Sequence, residues 1–166
     1  MDPQDAVAEL LKSLGFEGDP EMAEAPRRVA QWMASFVPAE PLGPMSVCAT
    51  ESHAPVRMQD IPFHSLCAHH LVPFFGTATL VYVPNGTLAG LGSLSRVVQH
   101  FARRPQVQER LGEQIADHLM EALAPRGLVV GLTARQLCVE LTQGIQPEVT
   151  TWALRGDVPD GLLPRM

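Results

Sequence analysis

Ser65-Leu66-Cys67-Ala68-His69-His70-Leu71-Val72-Pro73-Phe74-Phe75-Gly76 places one thiol and two imidazoles within four residues of an otherwise apolar run. A second cysteine stands far downstream, in Arg135-Gln136-Leu137-Cys138-Val139. Cysteine sulfur and histidine nitrogen are the ligands zinc prefers. Three protein ligands plus a water mark a catalytic zinc, and four protein ligands a structural one. A Cys-x-His-His run followed much later by one cysteine fits no zinc-finger spacing.

The segments around this run read as strand. From Val56 the pattern turns toward β structure. Phe75, Thr77, Thr79, Val81 and Val83 alternate with Gly76, Ala78, Leu80 and Tyr82, both sets fairly apolar, until Pro84-Asn85-Gly86 supplies a turn. Leu94, Val97, Val98 and Phe101 mark a helix that Arg104-Pro105 interrupts. Val107, Leu111, Ile115, Leu119 and Leu123 mark another, closed by Pro125-Arg126-Gly127. The stretch Leu128 to Leu141 predicts one long strand, Pro147 to Leu154 a last strand, and Gly156 to Met166 a tail.

Upstream, Asp2-Pro3 predicts a capped helix start, with Ala6, Leu10, Leu11 and Leu14 on one face and Gly15 as its stop. Glu24-Ala25-Pro26 starts a second helix with Val29, Trp32, Met33 and Phe36, and Pro38, Pro41, Gly43 and Pro44 break the chain into a patternless loop through Cys48 and His53. The order helices, strands, paired helices, strands implies an α+β domain whose antiparallel sheet carries helices on one face. We divide the chain into an N-terminal helical segment (1–40), a main domain (41–157) and a tail (158–166).

With 166 residues, a single principal domain is expected. A net charge of −6 disfavours a nucleic-acid partner, which needs clustered basic residues. No apolar run approaches the ~20 residues of a membrane span, and the acidic, polar start Met1-Asp2-Pro3-Gln4-Asp5 is no secretory leader. A cytoplasmic location is expected. Three widely spaced cysteines argue for metal or free thiols over a disulfide framework. Cys48 has no partner spacing and reads as a free thiol, and His64, His100 and His118 carry no motif. Lys12 is the sole lysine.

The words Cys67-Ala68-His69-His70-Leu71-Val72-Pro73-Phe74, Tyr82-Val83-Pro84-Asn85, Gly90-Leu91, Arg96-Val97-Val98, Phe101-Ala102, Arg104-Pro105-Gln106-Val107-Gln108-Glu109-Arg110-Leu111 and Cys138-Val139 occur in this order. Together they resemble GTP cyclohydrolase I, and the resemblance runs from about Ala25-Pro26-Arg27-Arg28 to about Gly156. It implies the tunnelling fold (T-fold): an antiparallel sheet with two helices packed on one face, plus N-terminal helices. Sheets of neighbouring subunits would join into a homo-oligomeric ring, typically a decamer, with active sites at subunit interfaces.

The resemblance also implies roles. Cys67, His70 and Cys138 match the zinc ligands, with zinc-bound hydroxide attacking C8 of the guanine imidazole ring and formate lost later. His69 matches a proton-shuttling histidine. Glu109 matches the carboxylate that reads the N1–H and 2-amino edge of guanine, with Gln108 in the same pocket. Arg96 matches a phosphate-binding arginine.

Several positions depart from that pattern. Gln136 stands where the family has a second catalytic histidine, and an amide cannot deliver a proton at neutral pH. Ala68 replaces a glutamate, and Gly92-Ser93 replaces a Ser-Lys pair, so a phosphate-binding lysine is gone. An arginine is missing around Thr142-Gln143-Gly144, and the loop from Pro44 to Val56 has neither lysine nor arginine. These changes predict a divergent zinc hydrolase whose purine-type substrate carries few or no phosphates, such as guanine or its nucleoside. The alternatives are an ordinary GTP cyclohydrolase I making dihydroneopterin triphosphate and formate, a non-catalytic purine- or pterin-binding ring protein, and a hydrolase of a non-purine heterocycle.

Overall fold

Residues 1–37 and 40–162 are described by the computed structural model of the chain. Pro38 and the last four residues of the expected tail lie outside them. The chain divides into two compact units, Met1–Ala39 and Glu40–Met166.

In the first unit, helix α1 (Pro3–Ser13) starts as expected. The Asp2 side chain accepts a hydrogen bond from the Gln4 N–H, and Pro3 fills the first helical position, where no donor is needed. Gly15 takes φ 85°, which ends the helix. The face that α1 turns inward differs from the expectation: Val7 and Leu11 are half-buried, whereas Leu10 and Leu14 are exposed. Helix α2 (Ala25–Ala34) follows a 3₁₀ turn at Pro20–Met22, and Trp32 meets Phe36 edge-on.

The second unit holds β1 (Val47–Ala49), β2 (Val56–Cys67), β3 (Pro73–Val83), β4 (Thr87–Ala89), α3 (Leu91–Ala102), β5 (Pro105–Gln106), α4 (Gln108–Leu123), β6 (Gly127–Gln136), α5 (Leu137–Gln143) and β7 (Glu148–Gly156). A five-stranded sheet runs β5-β2-β3-β6-β7, antiparallel except for the short parallel β2–β5 pair. Helix α3 lies against β2, and α4 against β6 and β7. The core fills the space between these layers. Leu94, Val97 and Val98 of α3 and Leu111, Ile115 and Leu119 of α4 meet Phe74, Leu80 and Tyr82 of β3 and Leu128, Val130 and Leu132 of β6. Each such buried side chain contributes roughly 1.5–3 kcal/mol, so the helical periodicity and the strand alternation specify the same interior.

Two expectations need correction. The strand expected over Leu128 to Leu141 ends at Gln136, and Leu137 to Gln143 form helix α5, capped by Gly144 at φ 68°. The loop through Cys48 also contains β1, which pairs antiparallel with β4 just beyond the Pro84-Asn85-Gly86 turn. Neither three-residue strand has a periodic pattern of its own. Tyr82 Oη accepts the Ala89 N–H (3.0 Å) and Ser93 Oγ accepts the Ser46 N–H (2.9 Å), which fastens this small sheet to the large one and to α3.

Candidate metal centre and active site

The strand β2 ends at Cys67, and the chain reverses into β3 through one helical turn. The Leu71 N–H donates to Cys67 O (2.8 Å) and the Cys67 N–H donates to Val72 O (2.9 Å). Leu71 takes φ 54°, the left-handed conformation that stops the turn from continuing. Side chains three residues apart on a helical turn share a face, so Cys67 and His70 converge. Cys67 Sγ lies 3.7 Å from His70 Nδ1. The third member arrives from the other end of the sheet neighbour. Gln136, the last residue of β6, pairs with Phe74 at the start of β3, and the switch into α5 puts Cys138 in a first helical turn beside them.

The ligand atoms of Cys67, His70 and Cys138 all lie within 4.8 Å of one another. Two ligands of a tetrahedral zinc at ordinary bond lengths sit roughly 3.5–3.8 Å apart, and the 3.7 Å between the Cys67 sulfur and the His70 imidazole falls in that range. Burial, and then the adjacent Cys67 sulfur, push the Cys138 thiol up, while the backbone N–H groups of Val139 and Cys138 draw it down. A cation between the two sulfurs would reverse that balance.

The metal group borders a cavity of about 310 Å³, lined by Cys67, His69, Phe74, Gln106 to Glu109, Gln136, Cys138, Val139 and Val149. The Ala68 N–H donates to Gln106 O (2.9 Å), and Cys67 pairs with Gln106 in the parallel bridge. This ties the Arg104-to-Leu111 run to the metal turn. Val107 caps α4, so Glu109 falls in its first turn, where a carboxylate is favoured by the helix dipole. His69 Nδ1 approaches Cys67 Sγ at 3.8 Å, and its ring stands edge-on to His70.

Two other expected residues lie apart from this cavity. Ser93 and Arg96 line a separate cavity of about 370 Å³ with Ser46, Gly90 and Gly92. Ser93 is buried, and its Oγ accepts both the Ser46 N–H and Arg96 Nη2 (2.9 Å each). Gln108 is buried, with its amide held by Leu132 O, Val149 O and Gln136. Five residues that line the cavity carry no role read from the sequence. Phe74, Gln106, Val107 and Val139 had a signal, since they belong to the Cys67-to-Phe74, Arg104-to-Leu111 and Cys138-Val139 words. Val149 had none, because only the sheet register brings β7 to this point.

The family model for GTP cyclohydrolase I matches residues 3–160. The chain belongs to the GTP cyclohydrolase I family. It is 42% identical over 160 residues to GTP cyclohydrolase 1 of Thermobifida fusca (strain YX), covering 91% of this chain and 77% of that one. It is 41% identical over 162 residues to the enzyme of the same name from Clostridioides difficile (strain 630), covering 92% of this chain and 85% of that one. The Carboxydothermus hydrogenoformans protein of that name is 40% identical over 159 residues, covering 91% of this chain and 83% of that one. Among solved structures, the apo form of the archaeosine synthase QueF-Like superposes with a TM-score of 0.53 at 21% identity, covering 66% of this chain and all of that one. That likeness is one of fold, and it places this member of the GTP cyclohydrolase I family among T-fold proteins.

Proposed function

We propose that this protein is a zinc-dependent hydrolase that opens the imidazole ring of a guanine-type purine bearing few or no phosphates. The supporting observation is the charge of the cavity: of the residues that line it, none is lysine or arginine. The arginines that adjoin it in sequence are already paired within the chain. Arg110 donates to Gln106 Oε1 and Pro105 O, and Arg135 forms a two-point ion pair with Glu140. Each charge-assisted hydrogen bond that a triphosphate fails to find costs about 1.5–3 kcal/mol, so two or three missing cations weaken GTP by several powers of ten.

Cys67, His70 and Cys138 would hold the metal, and a zinc ion there supplies an activated water near neutral pH. The protein's own groups divide the remaining work. Glu109 accepts the N1–H and 2-amino hydrogens of guanine and so orients the imidazole ring toward the metal group. His69, beside Cys67, takes up and returns a proton at the ring nitrogen. Gln136 hydrogen-bonds but transfers no proton. Phe74, Val107, Val139 and Val149 give the purine faces apolar walls and limit water. Ser93 and Arg96 contribute only if a second copy brings their cavity against this one, as in the homo-oligomeric ring that family membership suggests. No helix among the described residues is long and apolar enough to cross a membrane, and we place the activity in the cytoplasm.

A second reading, GTP itself as substrate, draws on the relatives near 40% identity that carry the name GTP cyclohydrolase 1. Formate release by the zinc-loaded protein separates the two. We expect formate from guanosine, lost on chelation and in Cys138→Ser. Formate from GTP alone would establish the second reading.

A further inference from the structure

Gln108 is 4% exposed, and its amide has one allowed sense. Nε2 donates to Leu132 O on β6 and to Val149 O on β7, each at 2.9 Å. A primary amide has two N–H donors, so both are used. Turning the group over would set its oxygen against two carbonyl oxygens and leave both unpaired in the interior. Oε1 therefore faces Gln136 and accepts its Nε2 at 2.6 Å. Gln136 in turn lines the cavity shared with His69 and Glu109. One of its two N–H groups is spent on Gln108 Oε1, and its carbonyl oxygen is the one acceptor it has left for a ligand, beside the second N–H.

We propose that Gln136 determines specificity by presenting this carbonyl oxygen to one N–H or O–H of the substrate, and that Gln108 is the positioning residue that holds it so. The assignment rests on the reading of the cavity as the purine site. Its chemistry follows from the chain of donors. The two backbone carbonyls fix Gln108, Gln108 fixes Gln136, and the site meets the substrate with an acceptor that neither titrates nor rotates. A base or nucleoside with a donor at that point is retained. One with an acceptor there meets two opposed lone pairs. An imidazole at position 136 would be oriented by the same oxygen: its N–H would donate to Gln108 Oε1, and its other nitrogen would face the cavity as an acceptor. Methionine would fill the space and offer neither group.

The test is titration calorimetry on the full-length, zinc-loaded protein with guanosine and with GTP, the tighter of the two serving as probe. Gln136→Met should weaken binding about ten- to hundred-fold, the range for removing a buried hydrogen-bond partner. Gln136→His should stay within about three-fold of the parent. Gln108→Met should weaken binding, and the double variant Gln108→Met/Gln136→Met should bind no worse than Gln136→Met alone, as two residues acting through one contact do. Unchanged binding in Gln136→Met, or losses that add in the double variant, overturns the assignment. If Gln108→Met does not fold, the contrast between methionine and histidine at 136 decides alone. Tighter binding of GTP than guanosine would defeat the substrate reading and leave this one to be decided by the same variants. Binding of neither defeats both.

Discussion

In the proposed function, purine recognition turns on Glu109. It stands in the first turn of α4, on the wall of the cavity that Cys67 and Cys138 border. Replacing it with alanine removes two charge-assisted acceptors at once, so Glu109→Ala should weaken guanosine at least about a hundred-fold. Calorimetry on the folded, zinc-loaded variant checks this. A loss below three-fold would mean that the ligand is not a guanine edge. At this scale much could be read in advance. Cys67, His69, His70 and Cys138 were named from the sequence because cysteine and histidine are scarce in it, and Glu109 because its neighbours are distinctive. The committed state of Ser93 and Gln108 could not be read, since it depends on Ser46 and on carbonyls of β6 and β7, which are remote in sequence.

The elements deliver these side chains, and the β3–β6 seam matters most because it joins the Cys67 turn to Cys138. At Gly76 a Cβ would lie 1.9 Å from Thr133 O and 2.7 Å from Ala134 Cα, both backbone atoms of β6 that cannot swing aside. Gly76→Ala should therefore destabilise by about 1–3 kcal/mol or more and lower zinc content as the seam opens, read by thermal unfolding and by metal analysis. A stable, fully loaded variant would show that the seam does not position the metal group.

A second element-level prediction concerns the contact of α3 with α4, where His100 stands edge-on to Phe101 and Phe101 tilts against His118. Burial, and then the Arg104 guanidinium and the neighbouring His118, hold the His100 imidazole below its usual value. The unfolded chain then binds a proton that the folded chain refuses, so this contribution to stability is present above about pH 6.5 and declines as pH falls below it. His100→Gln should flatten that part of the pH profile of thermal unfolding, and an unchanged slope would refute the assignment.

The long helices and strands were readable as elements because their apolar periods run for many residues. Helix α5 was not. Leu137 to Leu141 is as apolar as the strand before it, and a short apolar run does not tell strand from helix. Gly144 as a left-handed cap was the local sign of the helix end.

For the molecule as a whole, the sheet face turned away from α3 and α4 is the feature left to account for. On it Trp152 covers Gly131, where a Cβ would meet the ring at 2.3 Å. Trp152 and Leu154 of β7 are each 41% exposed, and Phe75 is 38% exposed. Strand β7 pairs with β6 on one side, and its other edge has no strand partner within the chain among the described residues. An apolar edge of this kind invites a second sheet, so Leu154→Asp should shift the protein toward monomer by sizing with light scattering. An unchanged mass would remove β7 from the interface. The sequence showed both faces of the sheet to be apolar, but an apolar face does not say how many copies gather on it.

The central claim, a family member whose cavity has given up the cations of a triphosphate site, is tested most directly by one competition assay. Zinc-loaded protein is offered guanine, guanosine, GMP and GTP together, and ring-opened products are followed by mass spectrometry. The account predicts that guanine or guanosine is consumed first and GTP last. Preferential consumption of GTP, with dihydroneopterin triphosphate as product, would contradict it.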